Sequence, residues 1–588
     1  MKVKKPSARV VAASVAALIA VLLFAQSAPP VQVNQYENAA LDGNVGVGLN
    51  AGGTVKLGGT RYCDSFDPAR SYDVWCGVVF RLYSRNLMSF RGQGGKESLA
   101  TAPDLAIDRP TVSADKTIWT FTLRSNAKWS DGTTITAQDV QHSVRRLFDS
   151  NVLGTVNVNY LCLLSNCPKG IPQYRGPYVR STVKLQSVTI KGSNIIRFRL
   201  NAPYVDFDRV LALPQFAVVQ RAWDLKLVSR KKTYGDNPLS SGPYKLIRVG
   251  PRKNVQFVRN LQWSQDSDPI RNPHVNRFTW KNFKSDALLD RAVINAEIHV
   301  RLGDGLGSTG LKILDKKPNL RKRIDNPFTG YVNYFVVSDK STPLNRLACR
   351  EAIFYAMDKA ELQRLRGGEH LSEIATSLLP PLVDGFDASS NTYPSGKLNK
   401  GDIDASRSSL KACGYPDGFE FVIAYLNAGI GPTLVRSVQT SLARVGIVVI
   451  PKPFNTFEKF VGVVQNPDQF AASDISMVIT GNGSQINSAY DFWSPIVDSR
   501  LISAFGNQNL AQIDDQAVNQ QLDQLITDPD VRTSTSSDIN ENVMASAQYL
   551  PYAYNKIVLY RSPKLANVYV QQALAGHYDL VNIALATK

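Results

Sequence analysis

With 588 residues, 44% of them hydrophobic and 20% charged, the chain is too long for one core and too apolar for wholesale disorder, so about two or three domains are expected. A formal net charge of +18 favours anionic surroundings. The densest basic runs, Lys2–Lys5, Arg230–Lys232 and Arg321–Arg323, have no interleaved aromatics, which argues against nucleic acid as a partner and for an anionic cell envelope.

The chain begins with Lys2, Lys4, Lys5 and Arg9, then runs without charge from Val10 to Ala25 and reaches small residues at Ala25-Gln26-Ser27. That is the layout of an export signal cut after Ser27, so 1–27 is read as a signal peptide, with an uncleaved anchor as the alternative because the apolar run is short for a span. An exported protein follows, periplasmic or at the cell surface, and membrane-tethered if the segment stays. Residues 28–52, rich in Asn, Gly, Ala and Gln, read as a flexible linker. The first cysteine is Cys63, too far along for a lipid-modified mature terminus.

Val55 and Leu57 share one face of a first strand at 54–57. Trp119, Phe121 and Leu123 alternate with Thr120, Thr122 and Arg124, a half-buried strand. Asp131-Gly132 turns the chain, and Thr136-Ala137-Gln138-Asp139 is a capping box that opens a helix with Val140, Val144 and Leu147 as its apolar stripe. Ile196, Phe198 and Leu200 mark another strand, and Tyr244-Lys245-Leu246 starts one after the Gly242-Pro243 turn. Helices become frequent after about residue 335. One is expected from Asn345, as its cap, to Leu365, and another over Pro432–Val445, stopped by Gly446 and followed by a buried strand at 447–450. The helix–Gly–strand order is α/β in character.

Six cysteines in an exported chain point to disulfides. Many pairings are open; the expected set is Cys63–Cys76, Cys162–Cys167 and Cys349–Cys413. A thiol metal site is the competing reading, disfavoured because no CxxC pair exists and no histidine lies near a cysteine. Enzyme signatures are missing as well: there is no Gly-x-Ser-x-Gly elbow, no His-Glu-x-x-His helix and no phosphate loop, and His142, His274, His299, His370 and His577 are scattered. No enzymatic activity, cofactor or metal is expected; a secreted hydrolase is the remote alternative.

Five blocks in order carry a family resemblance. They are Ser65-Phe66-Asp67-Pro68; Trp119–Arg124 with Lys128-Trp129-Ser130-Asp131-Gly132 and Thr136–Val140; Ser241-Gly242-Pro243-Tyr244; Cys349–Ile353 through Met357-Asp358-Lys359; and Cys413-Gly414-Tyr415-Pro416-Asp417-Gly418-Phe419. From about Gly52 to Tyr560 the chain resembles the family 5 bacterial extracellular solute-binding proteins, the peptide- and nickel-binding receptors of ABC importers. The resemblance implies an α/β, two-lobed periplasmic-binding-protein-like fold (type II, cluster C) with an extra domain inserted in the first lobe. The first lobe is expected at 53–330, the second at 331–540, and a return segment to the first lobe at 541–588. It also implies capture of a short peptide, or another small polar ligand, by hinge closure, with ABC permease subunits as partners and a monomeric receptor. A signalling receptor or surface adaptor with a non-peptide or modified-peptide ligand is the alternative.

By the same resemblance, Tyr72, Asp73 and Val74 stand where relatives present backbone and an acidic group, Phe457 where they place an aromatic wall, and Tyr552 and Tyr554 in the late block that returns to the first lobe. Peptide-binding relatives usually carry Trp-x-x-Asp-Tyr after a buried strand, the aspartate holding the peptide's amino terminus. Here Ile475–Ile479 is followed by Gly481-Asn482-Gly483-Ser484-Gln485-Ile486-Asn487, without the Trp or the Asp. Asn482, Gln485 and the later Asp491 are candidate ligand-binding residues, and Asp491, Asp73 or another carboxylate is what could take the missing aspartate's part.

Overall fold

The computed structural model describes residues 36–41, 49–152, 154, 158–249, 254–504 and 506–587. The expected signal or anchor, 1–27, lies outside the described residues. Among them, no helix is long and apolar enough to cross a membrane.

The protein has two lobes of mixed α/β structure. The first is organised by a five-stranded sheet in the order Val300–Arg301, Thr54–Gly59, Arg277–Asn282, Asn254–Arg259, Tyr244–Val249. Thr54–Gly59 runs parallel to both of its neighbours, with Val55 opposite Phe278 and Leu57 opposite Trp280. All four side chains are buried, as the alternation at 54–57 requires.

Within this lobe sits a four-stranded antiparallel sheet of Thr111–Val112, Ile118–Thr122, Ile195–Arg199 and Val188–Lys191. Trp119 faces Phe198 and Phe121 faces Ile196, and all four are buried. The helix Ala137–Arg146 packs on it and opens with the expected capping box: the Thr136 N–H donates to Asp139 Oδ2 at 2.9 Å, and the Asp139 N–H returns to Thr136 Oγ1 at 3.4 Å. Trp129 is fully buried.

The second lobe is built on a six-stranded sheet, ordered Ser372–Ile374, Tyr549–Lys556, Phe328–Val337, Ile475–Gly483, Glu420–Leu426, Val448–Phe454. Two expectations change here. The single helix from Asn345 to Leu365 is two, Leu347–Ala356 and Lys359–Leu365, and Asn345 does not cap the first. Met357 is extended, and Asp358 takes the Glu361 N–H at 2.8 Å, so an N-cap inside the apolar run starts a new helix. The strand after Gly446 is Val448–Phe454 and lies at the sheet edge: Val449 is buried, whereas Val448 and Ile450 are exposed. Alternation, not full burial, is its pattern.

The chain crosses between lobes at Asn326-Pro327 and returns at Ile557-Val558. On the first-lobe side Ile324–Asp325 pairs with Leu559–Tyr560; on the second-lobe side Phe328–Val337 pairs with Tyr549–Lys556. Asn326 holds the crossing together, its Nδ2 donating to Ile557 O at 2.9 Å and His370 O at 2.8 Å. Part of the expected linker is docked at this point. Ala40 is buried and donates to Asp325 Oδ1 at 2.9 Å, and Asn38 Oδ1 accepts the Asn326 N–H at 2.8 Å. A segment that fills backbone hydrogen bonds against a buried carboxylate is not a free linker there.

The three disulfides are Cys63–Cys76, Cys162–Cys167 and Cys349–Cys413.

Candidate functional site

A cavity of about 710 Å³ opens beside the crossing strands, walled by both lobes. Its first-lobe wall is the loop closed by Cys63–Cys76. The Asp64 carboxylate shapes that loop, accepting from Ser71 Oγ at 2.7 Å and from the Tyr72 N–H at 2.8 Å. Tyr72 and Val74 are thereby held out of the core, 65% and 59% exposed, and both line the cavity. Asp73 between them accepts a two-point contact from Arg61, whose guanidinium lies 5.7 Å from the Trp75 ring centre. The Arg61 hydrogen bond holds the Asp73 carboxyl below its ordinary range, so it stays ionised at neutral pH.

The second-lobe wall comes from the end of helix Lys359–Leu365 and from the crossing strands. Gly367, at φ +97°, turns the chain immediately after Arg366. Arg366 donates from Nε at 3.2 Å and from Nη2 at 2.5 Å to the Tyr552 hydroxyl, and its guanidinium lies 5.5 Å from that ring's centre. Among the described residues no carboxylate pairs with it. Thr329, Asn555 and Lys556 continue the wall, Lys556 reaching Glu373 at 3.5 Å. His577, from the C-terminal segment, also lines the cavity; burial brings its pKa down to about 4, leaving it neutral at pH 7.

The cavity thus unites Tyr72, Asp73 and Val74 of the sequence-derived candidates. The other candidates lie elsewhere. Tyr552 stands behind the wall, fully buried with its ring tilted against Phe335 at 4.8 Å, and acts on the cavity through Arg366. Tyr554 is turned into the second lobe, its hydroxyl accepting from Ser377 N at 3.1 Å and donating to Ser377 O at 2.8 Å. Phe457 is 62% exposed at the start of helix Phe457–Val464, off the cavity wall. The Asn482 amide donates to Phe492 O at 2.9 Å within its own lobe.

Asp491 is buried and committed. Its oxygens accept from Ser484 Oγ and the Gln485 N–H, each at 2.7 Å, and from the Tyr160 hydroxyl of the first lobe. Burial pushes its pKa up, and the Tyr160, Ser484 and Gln485 bonds pull it back. Asp206 makes a parallel stitch between the lobes, accepting from Ser488 Oγ at 2.6 Å and Arg532 Nη2 at 2.5 Å. At Gly481 a Cβ would come within 2.5 Å of the Tyr331 ring and 2.6 Å of Val332 O, so Tyr331 occupies the space a larger residue there would need.

Arg61, Asp304, Arg366 and Lys556 were missed by sequence reasoning. Arg366 had one available signal: an arginine directly before Gly367-Gly368 at a helix end.

The profile of the bacterial extracellular solute-binding proteins, family 5 Middle, matches residues 100–503. The chain is 34% identical to a solved structure described as clavulanic acid biosynthesis oligopeptide binding protein 2, covering 94% of this chain and 99% of that one at a TM-score of 0.84. It is 24% identical to the probable D,D-dipeptide-binding periplasmic protein DdpA of Escherichia coli, over 84% of this chain and 86% of that protein. With the periplasmic oligopeptide-binding protein OppA of Salmonella typhimurium it shares 24% identity over 48% of this chain, spanning half of that relative's length. The open, unliganded form of the murein tripeptide-binding protein MppA has the same fold, with a TM-score of 0.74 at 18% identity.

Proposed function

The chain belongs to the family 5 bacterial extracellular solute-binding proteins, a family of binding proteins and not of enzymes, and from that premise we propose that it is the extracytoplasmic receptor of an ABC importer, a monomer that captures a short peptide between its lobes by hinge closure. The observation that carries this reading is the 710 Å³ cavity beside the crossing strands, walled from both sides. A guest touching both walls favours the closed arrangement, the condition for a ligand to shift a hinge equilibrium. The walls also suit a zwitterion. Asp304 stands on the first-lobe side beside Asp73, which is paired with Arg61, and Arg366 stands on the second beside Lys556, which reaches Glu373. The relatives' names, oligopeptide-binding and D,D-dipeptide-binding, agree with a peptide.

The test is mass spectrometry of small molecules that co-purify with the protein, followed by a thermal-shift screen of di- to pentapeptides. A ligand at a hundredfold excess over Kd stabilises the fold by about 2.7 kcal/mol. The reading fails if no peptide raises the melting temperature and none reduces the radius of gyration in solution scattering.

One observation favours a second ligand class. The strand end at Gly481–Ser484 carries no carboxylate, and Asp491 is already committed to Tyr160, Ser484 and Gln485. A capped or modified peptide would then bind as well as a free one. Equal shifts from N-acetylated and free-amine peptides favour that class; loss on acetylation favours Asp304 as the amine's partner, since Asp73 is committed to Arg61.

A further inference from the structure

A second cavity, of about 480 Å³, lies in the first lobe and shares no lining residue with the cleft. Its base is the helix Ala137–Arg146. Gln138, Gln141, His142 and Arg145 follow one another at helical steps of three, one and three residues, and so share one face. On an isolated helix such a face would simply be solvated. Here Tyr174 and Pro177 of a loop, and Arg221 and Leu225 of the helix Arg221–Ser229, wall it in.

The charge of this lining is one-sided: two guanidiniums, Arg145 and Arg221, and no carboxylate. Neither makes an ion pair among the described residues. Arg145 reaches Leu185 O from Nη2 at only 3.4 Å, and its Nε is buried without an acceptor. Two carboxylates, Asp224 and Asp139, sit behind the lining residues without lining the cavity themselves. Asp224 accepts from His142 Nε2 at 2.7 Å and lies 3.4 Å from Arg146, while Asp139 closes the capping box and takes the Arg221 backbone N–H at 2.8 Å. Arg145 is half-buried and Arg221 exposed, and neither spends its charge on a carboxylate among the described residues, so an anion entering the cavity meets two unpaired guanidiniums. Gln141 spends its amide nitrogen on Val188 O at 2.7 Å, which leaves its amide oxygen to accept from a hydroxyl.

We propose that this cavity is a second binding site, which takes a phosphate group carried as a monoester on a small polyol. Two separate guanidiniums match a doubly charged oxyanion with several acceptor oxygens. A volume of about 480 Å³ exceeds one phosphate and leaves room for a sugar-sized body beside the glutamine oxygens and Tyr174.

The test is isothermal titration of the whole protein, in phosphate-free buffer, with glucose 6-phosphate, inorganic phosphate and glucose. One glucose 6-phosphate per chain is expected to bind, more tightly than inorganic phosphate, with no heat from glucose. Equal affinity for inorganic phosphate overturns the monoester. Arg221 is exposed, so R221E should fold normally and weaken binding at least about tenfold. R145M should do the same, and the cleft variant R366A should bind as wild type. Absence of binding to wild type, unchanged affinity in both R221E and R145M, or loss of binding in R366A each overturns the proposal.

Discussion

Removing the Arg366 guanidinium tests the cleft most directly. A guanidinium has five N–H donors. Two of Arg366's go to the Tyr552 hydroxyl, from Nε at 3.2 Å and Nη2 at 2.5 Å, which leaves three on a residue that lines the cavity and that no carboxylate pairs with among the described residues. If they hold a peptide's terminal carboxylate, R366A removes a charge-assisted hydrogen bond that contributes about 1.5–3 kcal/mol, or roughly 10- to 150-fold in Kd. The assay is isothermal titration with the tightest tripeptide from the thermal screen and with its C-terminal amide. Amidation and R366A should not add: the amide should bind wild type and R366A with similar, weakened affinity. Y552F should weaken the acid less than R366A, because the ring still supports the guanidinium at 5.5 Å. If R366A weakens acid and amide by the same factor, or leaves the acid within twofold of wild type, Arg366 does not hold the carboxylate.

Buried Lys359 donates to Ala375 O at 3.0 Å, and burial lowers its pKa from 10.5 to about 8. The unfolded chain keeps a proton that the folded chain releases between those values, so the group's contribution to stability is absent below pH 8 and grows as pH rises. Wild type should gain about 2 kcal/mol relative to K359M between pH 7 and pH 9.5 in urea titrations; a constant difference contradicts this. The chain-entropy relation gives about 4 kcal/mol for Cys349–Cys413, with 64 residues of separation, against about 2 kcal/mol for Cys162–Cys167, with 5. C349A/C413A should therefore lower the melting temperature more than C162A/C167A, and the reverse order refutes the entropic account. G481A should destabilise by about 1–3 kcal/mol through its contacts with the Tyr331 ring and Val332 O, with partial recovery in Y331A/G481A; a neutral G481A means the strands part easily.

Wherever one local rule acted alone, the fold was legible. The alternation at 119–123, the Thr136–Asp139 box and Gly446 at φ +81° appear as the residues require. Reading failed where two local signals competed, as at Asp358, whose side chain caps a new helix midway along what reads as one apolar helical stripe. It also failed where burial depended on a neighbour strand, as at Val448–Phe454, whose outer side has none.

The site divides along the same line. Tyr72, Asp73 and Val74 are neighbours in sequence beside Cys76, so their common place on the cavity wall follows from one short disulfide-closed loop. Asp491 and Tyr552 looked equally polar or aromatic on the page, yet one is committed to Tyr160 across 331 residues and the other supports Arg366 across 186. By itself the sequence determined the family, the strand and helix periods, and the lobes' α/β character, because these arise from contacts within a few residues. Only the tertiary structure decided which charges face the cleft. Whether a carboxylate or guanidinium is free depends on partners that the chain brings together from hundreds of residues away.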